Sequence, residues 1–213
     1  MRMRAYFVAG VDTGVGKTHV ICALLRDLVQ RGEAAMGCKP VACGDRKEPR
    51  AMREAAASPA LSLELVNPVF LRTAADPRVG GDFEHVALSV TSMVEKCQPV
   101  FQQYDTVLVE GTGGWETPLC PGATMADFAR ALGLPVLLVV SNRQGAVSQA
   151  LLTLRAIRGC GLECRGIILN QLNEEWDSAA VTNRSMLEEY TGVPVLAELI
   201  QGEDMLDSDA VLV

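Results

Sequence analysis

Histidine, lysine and aromatic residues are scarce in this chain of 213 residues, and long apolar runs are missing altogether. Only two histidines occur, His19 and His85, and no CxxC pair exists among Cys22, Cys38, Cys43, Cys97, Cys120, Cys160 and Cys164. That pattern disfavours a Cys/His zinc site, and an odd set of scattered thiols fits a reducing compartment better than a disulfide framework. After Arg2 and Arg4 the apolar stretch from Ala5 meets Asp12, too early for a secretory signal. The strongest apolar run, Leu134 to Val140, falls far short of a bilayer-spanning helix. Basic charge is also in deficit, 19 Lys and Arg against 26 Asp and Glu, so a broad basic face for nucleic acid or anionic lipid is not expected. The expectation is a cytoplasmic protein with neither a nucleic-acid nor a membrane partner.

What is present is a globular composition, 49% hydrophobic and 21% charged. This length suggests one domain, residues 1–213, large enough to bury about 70% of its unfolded surface without a disulfide or metal staple. Only four of the basic residues are lysines (Lys17, Lys39, Lys47 and Lys96), which draws attention to each.

Short apolar runs rich in β-branched residues recur at Tyr6–Val11, Thr106–Val109, Val136–Val140, Gly166–Leu169 and Val193–Leu196, with a further strand expected at Ala34–Cys38. Runs without alternation suit strands buried on both faces of a parallel sheet. Between them, amphipathic stretches at Thr18–Gln30, Met125–Leu132, Val147–Ile157 and Ser178–Tyr190 predict helices, each closed by a nearby glycine. The βα alternation predicts an α/β fold, three-layered, with a mainly parallel sheet and helices on both faces; the segment Gly10–Thr18 after its first strand makes it P-loop NTPase-like. The proline-bearing region from Asp45 to Gln103 reads as a crossover with helices near Leu61–Leu65 and Val86–Phe101.

The first strand runs into Gly10-Val11-Asp12-Thr13-Gly14-Val15-Gly16-Lys17-Thr18 and then directly into a helix. Such a loop turns backbone N–H groups toward phosphate oxygens, with Lys17 as a point charge for the β/γ-phosphates and the Thr18 hydroxyl as a Mg²⁺ ligand. Five residues, not the usual four, separate Gly10 from Gly16-Lys17, so the loop is a lengthened variant. Lys39 follows the second strand on the same carboxyl edge, where ligands collect in such sheets, and suits a small anion. Glu110 closes another strand, the place of an acid serving Mg²⁺, and Gly111, Gly113 and Gly114 let that loop approach a ligand. Asn142-Arg143 and Asn170 lie on the same edge, where a base or ribose could sit. Trp115 reads equally as core or ligand wall. Glu174, Glu175, Asp177, Glu203, Asp204, Asp207 and Asp209 read as solvated surface.

Together, the segments 10–18, Lys39-Pro40-Val41 and Val109–Trp115 resemble the hallmark segments of the dethiobiotin synthetases. Asn142-Arg143-Gln144-Gly145, Leu151-Leu152-Thr153 and Gly166–Asn170 are similar to that family's C-terminal half, and the resemblance runs from about residue 4 to 200. It implies a homodimeric ATP- and Mg²⁺-dependent ligase that carboxylates 7,8-diaminopelargonate with CO₂ and closes a ureido ring. The products are dethiobiotin, ADP and phosphate. It further implies that Asp12, Thr13, Gly14, Val15, Gly16, Lys17, Thr18, Glu110, Gly113 and Asn170 bind the nucleotide, Asn170 at adenine. Thr13, Lys17 and Lys39 would serve the reacting groups. Lys39, Cys43, Gly113, Gly114 and Ser148 would meet carbamate and diamine. Thr18 and Glu110 would hold Mg²⁺, joined by Glu48 in preference to Asp45.

The chain departs from that pattern in places. Cys43-Gly44 stands where the family usually has Ser-Gly, Asp76-Pro77-Arg78 for Ser-Pro-His, and Ser148-Gln149 for Asn-His; a Ser-Asp-Ala metal segment is absent. A related ligase acting on a different amine is therefore an alternative. A partitioning-type switch ATPase is another, although Asp12 occupies the place of its signature lysine. A cobyrinate-type amidoligase would need a glutaminase domain for which this length leaves no room, and a non-catalytic nucleotide-binding module is the blandest reading.

Overall fold

The computed structural model describes residues 3–171 and 178–212. In chain order the elements are β1 (Arg4–Gly10), α1 (Lys17–Gln30), β2 (Ala35–Cys38), β3 (Val41–Cys43), α2 (Lys47–Ala55), α3 (Leu63–Val66), β4 (Val69–Leu71), α4 (Pro77–Glu84) and α5 (Val90–Phe101). There follow β5 (Thr106–Glu110), β6 (Pro118–Cys120), β7 (Ala123–Thr124), α6 (Met125–Leu132), β8 (Val136–Ser141), α7 (Ala146–Gly159), β9 (Cys164–Asn170), α8 (Ser178–Thr191), β10 (Val195–Leu199) and α9 (Ser208–Val211).

Six strands form one parallel sheet in the order β10-β9-β8-β1-β5-β2. β5 and β8 are buried along their whole length and β1 along all but its first residue, as expected for strands covered on both faces. The chain steps from β1 toward β2 in one direction and from β8 toward β10 in the other. With right-handed crossovers, that reversal puts α1 on one face and α7 and α8 on the opposite one. The crevice at the carboxyl ends of β1 and β8 is then a topological switch point. Phe7 fills the core beneath it, edge-on to Trp115 at 6.1 Å and to Phe128 at 6.2 Å. Trp115, only 4% exposed, is therefore core and not a ligand wall.

The crossover differs most from expectation. The helix expected at Val86–Phe101 begins only at Val90, as α5, and a separate helix, α4, precedes it at Pro77–Glu84. α5 starts at Val90 because the Ser89 hydroxyl accepts from Ser92 N at 3.2 Å, an N-cap bond. α2 carries Pro49 in its first turn, where a proline removes no intrahelical bond. β3 and β4 make a separate parallel pair, Val41 beside Val69 and Cys43 beside Leu71. The acidic tail is not merely solvated either. Arg31 pairs with Asp27, Asp207 and Asp209, and the Asp27 carboxylate accepts from Ser208 N, tying α9 to α1. Glu174, Glu175 and Asp177 lie outside the described residues. Among the described residues no helix is long and apolar enough to cross a membrane.

Candidate active site

The loop between β1 and α1 is built on close backbone approach. A Cβ on Gly10 would lie 2.7 Å from Val15 Cγ2 and 2.9 Å from Lys17 Nζ, so any larger residue would push the loop off its strand. Lys17 folds back over this loop and donates to Asp12 O at 3.0 Å and to Gly113 O at 2.6 Å. Among the described residues it meets no carboxylate within ion-pair range. Burial lowers its pKa to about 8, against a partial restoring pull from Glu110. The Thr18 hydroxyl, on the first turn of α1, donates to the Glu110 carboxylate at 2.8 and 3.1 Å. The sheet register sets this contact, because β5 is hydrogen-bonded to β1 with Val8 beside Glu110.

Lys39 sits just past β2, only 3% exposed, and donates to Glu110 Oε1 at 2.5 Å and to Glu48 Oε2 at 2.8 Å. Burial opposes its charge, but Glu110 and Glu48 outweigh burial and hold its pKa above the ordinary lysine value. Its backbone is fixed by Asn67, a residue that sequence reasoning missed. Asn67 is fully buried; its amide donates to Lys39 O and Val69 O, both at 2.8 Å, and its carbonyl accepts from Arg46 at 3.0 Å. The only sequence signal was an Asn-Pro pair, which reads as an ordinary turn.

A cavity of about 320 Å³ opens over these groups, lined among others by Thr13, Lys17, Lys39, Cys43, Glu48 and Gly113. Gly14 lines it too, whereas Asp12, Val15, Gly16, Thr18, Glu110 and Asn170 do not, and Thr112, whose hydroxyl donates to Val41 O at 2.6 Å, adds an unexpected wall. Cys43 is a neutral thiol, pushed up to about 11 by burial. Gly114 lies against the phosphate loop, where a Cβ would come within 3.6 Å of Asp12 Cα.

Other expected residues lie elsewhere. Asp45 is occupied at the start of α2, accepting from Lys47 N at 2.9 Å, and does not line the cavity. Arg78 pairs with Asp82 beside a separate cavity at Leu119 and Cys120. Ser148 is on α7, lining a groove of about 510 Å³ with Leu151, Leu152, Met186 and Tyr190. Asn142 is taken up by α8: its amide donates to Ala180 O at 3.2 Å and its carbonyl accepts from Asn183 at 2.9 Å. Asn170 is fully buried, donating to Val15 O at 2.9 Å while its Oδ1 has no partner among the described residues, an acceptor left over at the edge of the phosphate loop.

Among the described residues no three His, Cys, Asp or Glu side chains gather into a self-sufficient metal cage. The Thr18 hydroxyl and Glu110 carboxylate are hard oxygen donors, a fit for a cation that keeps waters and takes further ligands from phosphates.

Strand, glycine loop, helix, buried lysine and strand-end acid together define a phosphate-loop nucleotide-binding protein. A family model described as "AAA domain" matches residues 4–207. Solved structures of this fold align over nearly the whole chain. The septum site-determining protein MinD from Pyrococcus horikoshii, complexed with Mg-ADP, has a TM-score of 0.59 at 20% identity, covering 96% of this chain and 82% of that one. A ParA family ATPase from Chlorobium tepidum has a TM-score of 0.60 at 12% identity, covering 94% and 86%. These likenesses establish the fold alone. The ATP-dependent dethiobiotin synthetase BioD of Akkermansia muciniphila is 47% identical over 210 residues, 99% of this chain and 98% of that protein. The one from Cellvibrio japonicus is 40% identical over 185 residues, 82% and 80% of the two chains. The chain belongs to the ATP-dependent dethiobiotin synthetase family.

Proposed function

We propose that the protein makes dethiobiotin for biotin synthesis, carboxylating 7,8-diaminopelargonate with CO₂ and closing the ureido ring at the expense of ATP. The observation that carries this reading is the meeting of Lys17 and Lys39 at one cavity, with Glu110 buried against Lys39, in a chain of this family. A carbamate is a poor electrophile because its oxygens carry full charge. Phosphorylation makes it a mixed anhydride that the neighbouring amine can attack, so the protein's task is positioning and charge neutralisation. Lys17 and the N–H groups of the loop receive the β/γ-phosphates, and Lys39 balances charge shared by carbamate and transferring phosphoryl group. Asn170 Oδ1, buried without a partner among the described residues, supports the adenine-reading role through the exocyclic amine. Thr18 and Glu110 would hold Mg²⁺, with Glu48 the better-placed third ligand since it lines the cavity and Asp45 does not. The cation would neutralise phosphate charge there.

The protein is further proposed to be a cytoplasmic homodimer. Leu152 is 63% and Tyr190 61% exposed on the groove between α7 and α8, an apolar face suited to a second copy. Ser148 lies on that same face, outside the cavity of its own chain, so its proposed substrate-binding role depends on such a copy.

Incubation with ATP, Mg²⁺, bicarbonate and 7,8-diaminopelargonate tests the reading, with ADP followed enzymatically and products by mass spectrometry. One dethiobiotin per ADP is expected. ADP formed in step with a different amine would instead favour the related-ligase alternative, and amine-independent hydrolysis a switch ATPase.

A further inference from the structure

Three carboxylates stand at this site, Glu48 and Asp76 lining the cavity and Glu110 buried against Lys39, and they are not equivalent. Glu110 is engaged by Thr18 and Lys39, and Glu48 by Lys39. Asp76 lines the same cavity, yet its carboxylate makes no hydrogen bond or ion pair among the described residues. It stands at the N-cap of α4 without making the capping bond that position usually provides. Its placement is nonetheless enforced. The β3–β4 pairing sets the loop after β4 beside the end of β3, and Gly44 N donates to Leu71 O at 2.9 Å. Gly44, at φ 84°, has Ala74 so close that a Cβ would lie 3.0 Å from it. Thr73 N donates to the Glu84 carboxylate at 2.7 Å, and Pro77 stiffens the entry to α4.

The charge balance gives this leftover anion a purpose. Lys39 is already neutralised by two carboxylates, and Lys17 awaits phosphate. A vicinal diamine arrives largely as an ammonium ion, which Lys17, bonded only to backbone carbonyls among the described residues, would repel. We infer that Asp76 receives an ammonium group of the diamine and so sets the preference of this cavity for an amine substrate. This inference rests on the diamine reading above and goes beyond it by naming the recognising residue.

The test is steady-state kinetics of the full chain and two variants, with ATP, bicarbonate and 7,8-diaminopelargonate. Asparagine caps helices as well as aspartate does, so Asp76→Asn is expected to fold normally, with its thermal midpoint as the check. Loss of a charge-assisted bond should raise KM for the diamine by about tenfold. KM for ATP should change less than about twofold, and Asp76→Glu should recover most of the loss. Added salt should narrow the gap between wild type and Asp76→Asn, because the pair is exposed to solvent. An unchanged diamine KM in Asp76→Asn, an equal rise in both KM values, or no recovery with glutamate would overturn the inference while leaving the diamine reading intact. A wild-type protein that makes no dethiobiotin would remove both.

Discussion

Lys17 and Lys39 face one cavity from two regions of the molecule, and the fold treats them in opposite ways. Lys17, on the β1–α1 side, rests on backbone carbonyls, and burial brings its pKa down to about 8. Lys39, on the crossover side, is as deeply buried, but Glu110 and Glu48 keep it charged. The difference is one of partners and not of depth. A lysine without a carboxylate is a vacancy for an incoming anion, whereas a lysine shared by two is part of the scaffold and can lend its charge only by exchanging partners.

The sharpest way to break this comparison is to remove each ammonium in turn. Lys17→Ala should lower ATP turnover by about 10³-fold or more, the scale of losing a preorganised charge at a developing one, while leaving the thermal midpoint near wild type. Near-normal ADP formation would show that the loop is not the phosphate site. Lys39→Met should behave differently. It leaves Glu110 buried beside an apolar chain, so denaturant unfolding should report a loss of about 3–5 kcal/mol. An unaltered midpoint would mean that the ion pair is not the structural element argued here.

Glu110→Gln sharpens the contrast from the acid's side. Retaining shape but not charge, it should raise the Mg²⁺ concentration for half-maximal activity by about tenfold or more; an unmoved Mg²⁺ titration would put the cation elsewhere. The smallest effect concerns pH. Since Lys17 loses its proton near 8 in the folded protein and near 10.5 when unfolded, the unfolded state binds more protons in that window. Folding stability from this group therefore rises with pH between those values. ATP binding runs the other way, because phosphates require the charged form. Above pH 8 the affinity should fall by up to about tenfold per pH unit, with uptake of about one proton, read by calorimetry in two buffers of different ionisation heat. Affinity that stays flat from pH 7 to 9 would contradict the exposed-to-anion picture of Lys17.

Legibility followed the same divide. On the β1–α1 side the glycine spacing, Lys17-Thr18 and the helical period of Val20, Ile21, Leu24 and Leu28 announced the strand, the loop and the helix, because each signal is made by residues a few positions apart. In the proline-bearing crossover α2, with Pro49 in its first turn, went unread, and a three-residue strand such as β3 carries no period to detect. Asn142 was a plausible base reader until α8 took both ends of its amide.

From its order of residues alone, then, the chain determines its parallel α/β class, its phosphate loop and the candidacy of Lys39 and Glu110, since these rest on local spacing and hydrophobic period. Tertiary structure alone decides that Lys39 is shared between Glu110 and Glu48, that Asn67 holds its backbone, and that Asp76 is left unpaired at the cavity wall. Those outcomes join residues from 9 to 71 positions apart, through strand register and a crossover whose pairing no local pattern encodes.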